Sequence, residues 1–132
     1  MNRLRAAFRT ILAELNTPSS QRDQWFLWSA AQMAHALIGV VIAGGLLFVL
    51  PPWCAFATAT IGYALGKELP DFYRAPSWAT ARDSIQDALF VAAGAALVVA
   101  IAGGHERLFM VAVIAAALGL AWGAFIRLQV RR

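Results

Sequence analysis

Charge is the scarcest property of this chain: 14% of its 132 residues are charged, against about a quarter in soluble domains. Cysteine is nearly absent as well. Cys54 stands alone, so no internal disulfide staples the fold, and its apolar neighbours mark it as a small core residue. There is no HExxH metal motif, no GxSxG elbow, no Cys-His pairing and no glycine-rich phosphate loop after a strand, which sets the corresponding chemistries aside. The basic balance, eleven Lys/Arg against seven Asp/Glu, comes without a basic-aromatic module, so nucleic acid is not an expected partner.

The chain's excess is in apolar residues, 61% of the total. A protein this small has too little interior to bury that fraction in water. The residues also fall in blocks rather than along amphipathic elements, which identifies a lipid bilayer as the solvent. The expected fold is all-α: a four-helix transmembrane bundle preceded by an amino-terminal amphipathic interfacial helix. Residues 1–18 form that helix, with Leu4, Phe8, Ile11, Leu12 and Leu15 at helical spacing and Arg3, Arg5 and Arg9 elsewhere on the wheel, a pattern suited to an anionic leaflet. Residues 19–132 form the transmembrane domain, with spans at about 25–50, 53–69, 83–102 and 107–126.

Local signals set these boundaries. Ser20 to Asp23 has the capping-box pattern, and Trp25, Phe26 and Trp28 are placed as an aromatic belt at the entry to the first span. Pro51-Pro52 ends that span. The second is apolar only to Gly66, about 14 residues or ~21 Å, so it must continue through Lys67, Glu68 and Leu69 with Lys67 snorkelling. Pro70 and Pro76 predict a bend, and Thr80 to Asp83 a second capping box opening the third helix. Gly62 and Gly66, and again Gly119 and Gly123, are small-xxx-small pairs that allow close helix approach and fit a homo-oligomer. His105, in the Gly103–Glu106 turn, reads as a solvated turn residue. Lys/Arg residues cluster at the amino end, at Lys67, Arg74 and Arg82, and at the carboxyl end, while the opposite turns hold only Arg107. By the positive-inside rule both termini face the cytoplasm, as expected in a bacterial inner membrane.

One polar island interrupts the apolar blocks. Lys67 to Asp87 holds four of the seven acids, Glu68, Asp71, Asp83 and Asp87, in two helix-spaced pairs. Counted back from the Pro-Pro turn, His35 lies ~22 Å along the first span and Glu68 an equal distance along the second, while Asp87 lies ~24 Å from the Gly103-Gly104 turn. In an antiparallel bundle His35, Glu68 and Asp87 share one layer. Gln32, Asp71 and Asp83 share the next, with Arg127 near it.

Ionisable groups at such depth cost about 2.5–3.5 kcal/mol each on insertion scales and must find partners. Two partner sets fit. In one, the acids pair with nearby bases, Lys67 with Asp71 and Arg127 or Arg82 with Asp83, as a structural network; helix capping by itself would account for Asp83. In the other, His35, Glu68, Asp71, Asp83 and Asp87 surround a divalent metal such as zinc or manganese, or a bound water nucleophile, with His35, Glu68 and Asp87 as catalytic candidates.

His35 with Gly39, then Glu68, then Asp83 and Asp87 followed by Gly94 resembles the pattern of the VanZ-like and YfiM-like groups of small bacterial membrane proteins, over residues 32–98. That resemblance implies an envelope-associated protein with a polar cluster and supplies no substrate. Two functional classes follow: a membrane-embedded, metal-dependent enzyme or binding protein, and a holin-like or other non-catalytic oligomer of a phage or bacterium. A scaffold that docks a partner through its amphipathic amino terminus is a third.

Overall fold

The computed structural model describes residues 25–129, with the side chains of residues 25, 26 and 127–129 outside the described set. The amino-terminal helix, the Ser20–Asp23 cap, the belt side chains of Trp25 and Phe26, and the Arg127 side chain therefore lie outside the described residues. The described part is helical, with no strand. Its elements are α1 (Trp25–Leu46), α2 (Pro52–Tyr63), a π turn (Ala64–Glu68), α3 (Leu69–Arg74), α4 (Trp78–Ala102) and α5 (Glu106–Gln129).

Three stretches are long and apolar enough to cross a membrane: Leu27–Leu46, Trp78–Ala102 and Glu106–Ile126. Their large apolar side chains are extensively exposed, among them Met33, Leu37 and Val41 on α1 and Val111, Ile114 and Leu118 on α5. In water such continuous apolar surface would drive aggregation; in lipid it is the contact face. The protein is membrane-embedded on this ground.

At the centre is α4, which packs against α1, α2 and α5, while α1 also touches α2 and α5. Its buried positions, Asp83, Asp87, Phe90, Val91, Gly94, Ala95 and onward, recur every three or four residues and make one continuous stripe. On α1 the matching stripe is Trp28, Ala31, Gln32, His35, Gly39 and Ala43. The two stripes meet backbone to backbone. A Cβ on Gly39 would land on the Val91 carbonyl oxygen, and one on Gly94 would land on the Ala36 carbonyl oxygen. Only glycine permits this approach, which brings carbonyls and Cα–H groups of the facing helix into contact.

Small residues also shape the α5 contact. Gly123 receives the Trp28 ring, which a Cβ would strike, and Gly119 lies under Phe90, whose Cζ would be 3.3 Å from a Cβ there. Trp28 is fully buried and meets Phe90 edge to face at 6.4 Å. Trp28 is thus a packing residue rather than part of an interfacial belt, and the Gly119/Gly123 face is filled within the chain. The Gly62/Gly66 face has nothing within 4 Å. Cys54, expected in the core, is exposed: α2 turns Ala55 and Ala59 inward instead.

The second apolar block does not end at Pro70. The helix continues to Arg74, and the break is confined to residues 75–77. Proline lacks an N–H and its ring clashes with the carbonyl four residues back. The chain relieves this at Gly66 by widening one turn: the Leu69 N–H bonds to the Ala64 carbonyl, five residues back, and the π turn results. The next helix begins earlier than the Thr80 capping box predicts. Ser77, in extended conformation, accepts from the Thr80 N–H at 3.0 Å and caps α4 from Trp78. Asp83 therefore lies inside the helix, facing the core, and is not a capping residue. At the other end His105 is exposed, as expected of a turn residue, but its ring stacks on Trp53 at 5.9 Å.

The glycine crossing sets the first prediction. Gly94→Val should destabilise the protein by about 3 kcal/mol, since the obstructing atoms are backbone and cannot swing away. Gly62→Ala should be neutral or stabilising by about 0.5–1 kcal/mol. Thermal melting of both variants in mild detergent checks the pair; equal melting points would remove the crossing as the keystone.

Candidate functional site

Five polar side chains are buried among the described residues: Gln32, His35, Glu68, Asp83 and Asp87, none more than 7% exposed. From α1, Gln32 and His35 are three apart and project from the same face as Gly39. From α4, Asp83 and Asp87 are four apart and lead into Gly94 along the buried stripe. The glycines draw the two backbones together, and the longer side chains one to two turns away span the remaining separation.

Asp87 is the hub. Its Oδ1 accepts a hydrogen bond from Gln32 Nε2 at 2.8 Å and lies 3.4 Å from His35 Nδ1. Of His35, Glu68 and Asp87, expected in one layer, His35 and Asp87 approach within 3.4 Å. Gln32, expected in the next layer, reaches across to the same carboxylate oxygen. Residue counting fixes depth to about a turn, and a long flexible amide covers that difference.

The second region centres on the π turn. Tyr63 sits edge to face with His35 at 6.0 Å between ring centroids, tying α2 to the α1 side of the cluster. Glu68 is buried a turn further on. The Tyr63 hydroxyl and the Glu68 carboxylate are near enough to feel one another. Even so, neither that hydroxyl nor Glu68 Oε1 is in hydrogen-bond geometry with any described residue. Among the described residues the cation beside Glu68 is Lys67, whose Nζ lies 3.6 Å from Oε1, too far for a hydrogen bond. Lys67 Nζ instead donates to Asp71, the expected pairing at four-residue spacing, and Arg74 donates to the other Asp71 oxygen at 3.0 Å. Asp71 is consequently held in a partly exposed ion-pair group, apart from the His35–Asp87 pair.

This arrangement bears on the metal shell. No three His, Cys, Asp or Glu side chains among the described residues are grouped so as to hold a metal ion. Asp71 is engaged by two cations, while His35 and Asp87 lie 3.4 Å apart. Sequence reasoning misses Tyr63, which lies in an apolar run and carries no charge to attract notice; its five-residue spacing from Glu68 is the available signal. Chemically, the cluster combines acceptor carboxylates at Asp87 and Glu68 with an imidazole and a phenol, each able to donate or accept. Such a set suits a cation, a proton or a hydrogen-bond donor.

Compared with protein-family models, with curated proteins and with solved structures, the chain matches none. Its function is accordingly inferred from its own residues.

The Gln32–Asp87 bond is testable by a double-mutant cycle. Gln32→Leu leaves the buried carboxylate short of a donor and should cost about 2–3 kcal/mol. The coupling energy in the Gln32→Leu, Asp87→Leu cycle should lie near 1–3 kcal/mol. Arg74→Ala, which breaks an exposed pair, should cost less than about 1 kcal/mol. Thermal or denaturant unfolding in detergent gives all of these values, and a coupling near zero would remove Asp87 as the hub.

Proposed function

We propose that this is a four-span protein of the bacterial inner membrane, with both termini in the cytoplasm, whose cluster of His35, Glu68 and Asp87 is a ligand-binding site buried within the cytoplasmic half of the bilayer. The fourth span in this reading is the unbroken run of α2, π turn and α3. Its 23 residues, Pro52 to Arg74, extend ~34 Å at helical rise, enough for the ~30 Å hydrocarbon core. Lys67 and Arg74 then carry its end to the headgroups. The bias of basic residues toward one set of turns supports the orientation.

One observation carries the binding reading: the polar cluster does not close on itself. A purely structural network satisfies its members, because each buried unsatisfied group costs about 1–3 kcal/mol. Here the Asp87 end is bonded, while Glu68 Oε1 and the Tyr63 hydroxyl are not, among the described residues. That state leaves acceptor capacity at Glu68 for a bound ligand. In the metal-dependent form of the proposal, His35, Glu68 and Asp87 are the residues that would hold zinc or manganese, which would supply a Lewis acid or an activated water.

A second reading, a holin-like oligomer, is favoured by one feature. The Gly62/Gly66 face is open and flanked by exposed Ile61 and Leu65. The Gly119/Gly123 face, used within the chain, lends it no support.

Elemental analysis of the purified protein, wild type beside Asp87→Asn, separates the readings. The isosteric amide preserves shape, so the variant should fold, with a stability loss of about 1–3 kcal/mol, and should lose the bound ligand. Stoichiometric metal absent from Asp87→Asn makes the ligand a metal ion. No ligand of any kind in the wild type, together with a lower melting point for the variant, makes the cluster structural. Depolarisation of cells on induced expression, unaffected by Asp87→Asn, favours the oligomer.

A further inference from the structure

The acids of the polar island lie inward. Glu68, Asp83 and Asp87 are buried, and Asp71 is held by Lys67 and Arg74. The outer surface of the same region has the opposite character. On either side of the residue 75–77 bend, Tyr73 and Arg74 close α3 and Trp78 opens α4, all three exposed, Trp78 to 81%. Arg82, one turn beyond Trp78, is exposed as well. Trp78, Arg82, Ile85 and Leu89 follow helical spacing and form one exposed stripe of α4. Asp83, Asp87 and Val91 occupy the opposite stripe, which faces the core. Arg82 therefore projects toward lipid beside two apolar side chains, and it makes no ion pair with a described residue.

Helix lengths set the depth of these charges. Arg82 is 20 residues back from Ala102, the far end of α4, or ~30 Å at helical rise, the thickness of the hydrocarbon core. Arg74 ends the 23-residue run that starts at Pro52, ~34 Å away. Both guanidinium groups thus fall at the boundary between acyl chains and headgroups, on the same side of the membrane. Tyr73 and Trp78 beside them are the residue types that populate that layer. Three bases against one acid leave the outer group of Lys67, Asp71, Arg74 and Arg82 at a formal charge of +2. The acceptors available to Arg82 in this layer are lipid phosphates, which match the guanidinium fork. A zwitterionic headgroup offsets its phosphate with its own cation, whereas an anionic headgroup does not.

We infer that the bend between α3 and α4 is an interaction surface for anionic phospholipid. Arg82 and Arg74 donate to headgroup phosphates, and Ile85 and Leu89 lie against the acyl chains. Charge complementarity selects this occupant: a basic residue near an anionic surface gains about fivefold in binding, the equivalent of ~1 kcal/mol. Arg82 carries most of the effect, because Arg74 already shares its charge with Asp71. The inference goes beyond the His35, Glu68 and Asp87 site and holds or fails without it. It requires only that α4 crosses the membrane, and it applies to whichever leaflet holds the bend.

The test uses the full chain in nanodiscs of equal phosphatidylglycerol and phosphatidylcholine, which share the phosphate and differ in net charge. A benzophenone amino acid placed at Ile85, one turn from Arg82 on the exposed stripe, crosslinks the lipid lying there, and mass spectrometry identifies it. A second protein carries the probe at Ile114, exposed near the middle of α5. Phosphatidylglycerol should be enriched about fivefold or more at Ile85 and captured nearly evenly with phosphatidylcholine at Ile114. Arg82→Gln should lower the Ile85 ratio about fivefold. Adding Arg74→Gln should bring it close to one. Arg82→Lys, which keeps the charge, should leave it within about twofold of wild type. All of these substitutions change exposed side chains, so lipid is still captured at Ile85 and the ratio is read in every variant. A wild-type ratio at Ile85 no higher than at Ile114 overturns the proposal, as does a ratio unchanged by Arg82→Gln. A fall in Arg82→Lys as large as in Arg82→Gln overturns it too, because charge would not then be the cause.

Discussion

The fold depends on one contact, the mutual approach of α1 and α4 at Gly39 and Gly94. Each glycine faces a carbonyl oxygen of the other helix where any side chain would collide. In lipid, apolar side chains gain little by leaving one hydrocarbon environment for another, so helix association relies on packing and on polar contacts. Two glycines that admit backbone against backbone provide the closest packing available. The buried polar side chains of both helices lie on the same side of this crossing. Gln32 and His35 precede Gly39, and Asp83 and Asp87 precede Gly94. The crossing thus fixes both the separation and the register at which the amide and imidazole of α1 reach the carboxylate of α4.

A second constraint acts on the neighbouring helix. Pro70 cannot sit in an undisturbed α-helix, and the π turn from Ala64 to Glu68 absorbs the clash within the helix, without ending it. A π turn rotates the helix before it relative to the helix after it. Glu68, which closes the π turn, is buried, while Asp71, one α-turn further along, is partly exposed beside Lys67 and Arg74.

Much of this architecture is legible in the sequence, for reasons of length and position. Apolar blocks of about twenty residues, separated by proline and glycine turns, mark the long helices. Counting back from those turns places His35 and Asp87 at one depth, and they meet. Counting cannot supply rotation about each helix. Gly119 and Gly123 have the spacing of an oligomer face, yet the side chains that fill them, Phe90 and Trp28, lie 29 and 95 residues away in sequence. Trp28 has the position of an interfacial aromatic, because a place near the start of a span is the same whether the ring faces lipid or protein. The start of α4 is ambiguous for a different reason: Ser77 and Thr80 both have capping potential, and the hydroxyl nearer Pro76 takes the role. The π turn is hidden because proline in a helix more often marks an end than a widened turn.

The acids of the island are not held alike, and the difference bears on function. A carboxylate at membrane depth costs about 2.5–3.5 kcal/mol to place there, so each needs compensation. Asp87 obtains it from Gln32 and His35, two groups from a helix that the glycine crossing has already brought near. Asp71, only partly buried, takes both Lys67 and Arg74. Glu68 is as buried as Asp87, yet the cation beside it among the described residues is a shared ammonium at 3.6 Å. Beside it stands the Tyr63 hydroxyl, which interacts with its carboxylate. Asp87 is compensated from a facing helix, whereas Lys67 and Tyr63, which flank Glu68, belong to its own helical run.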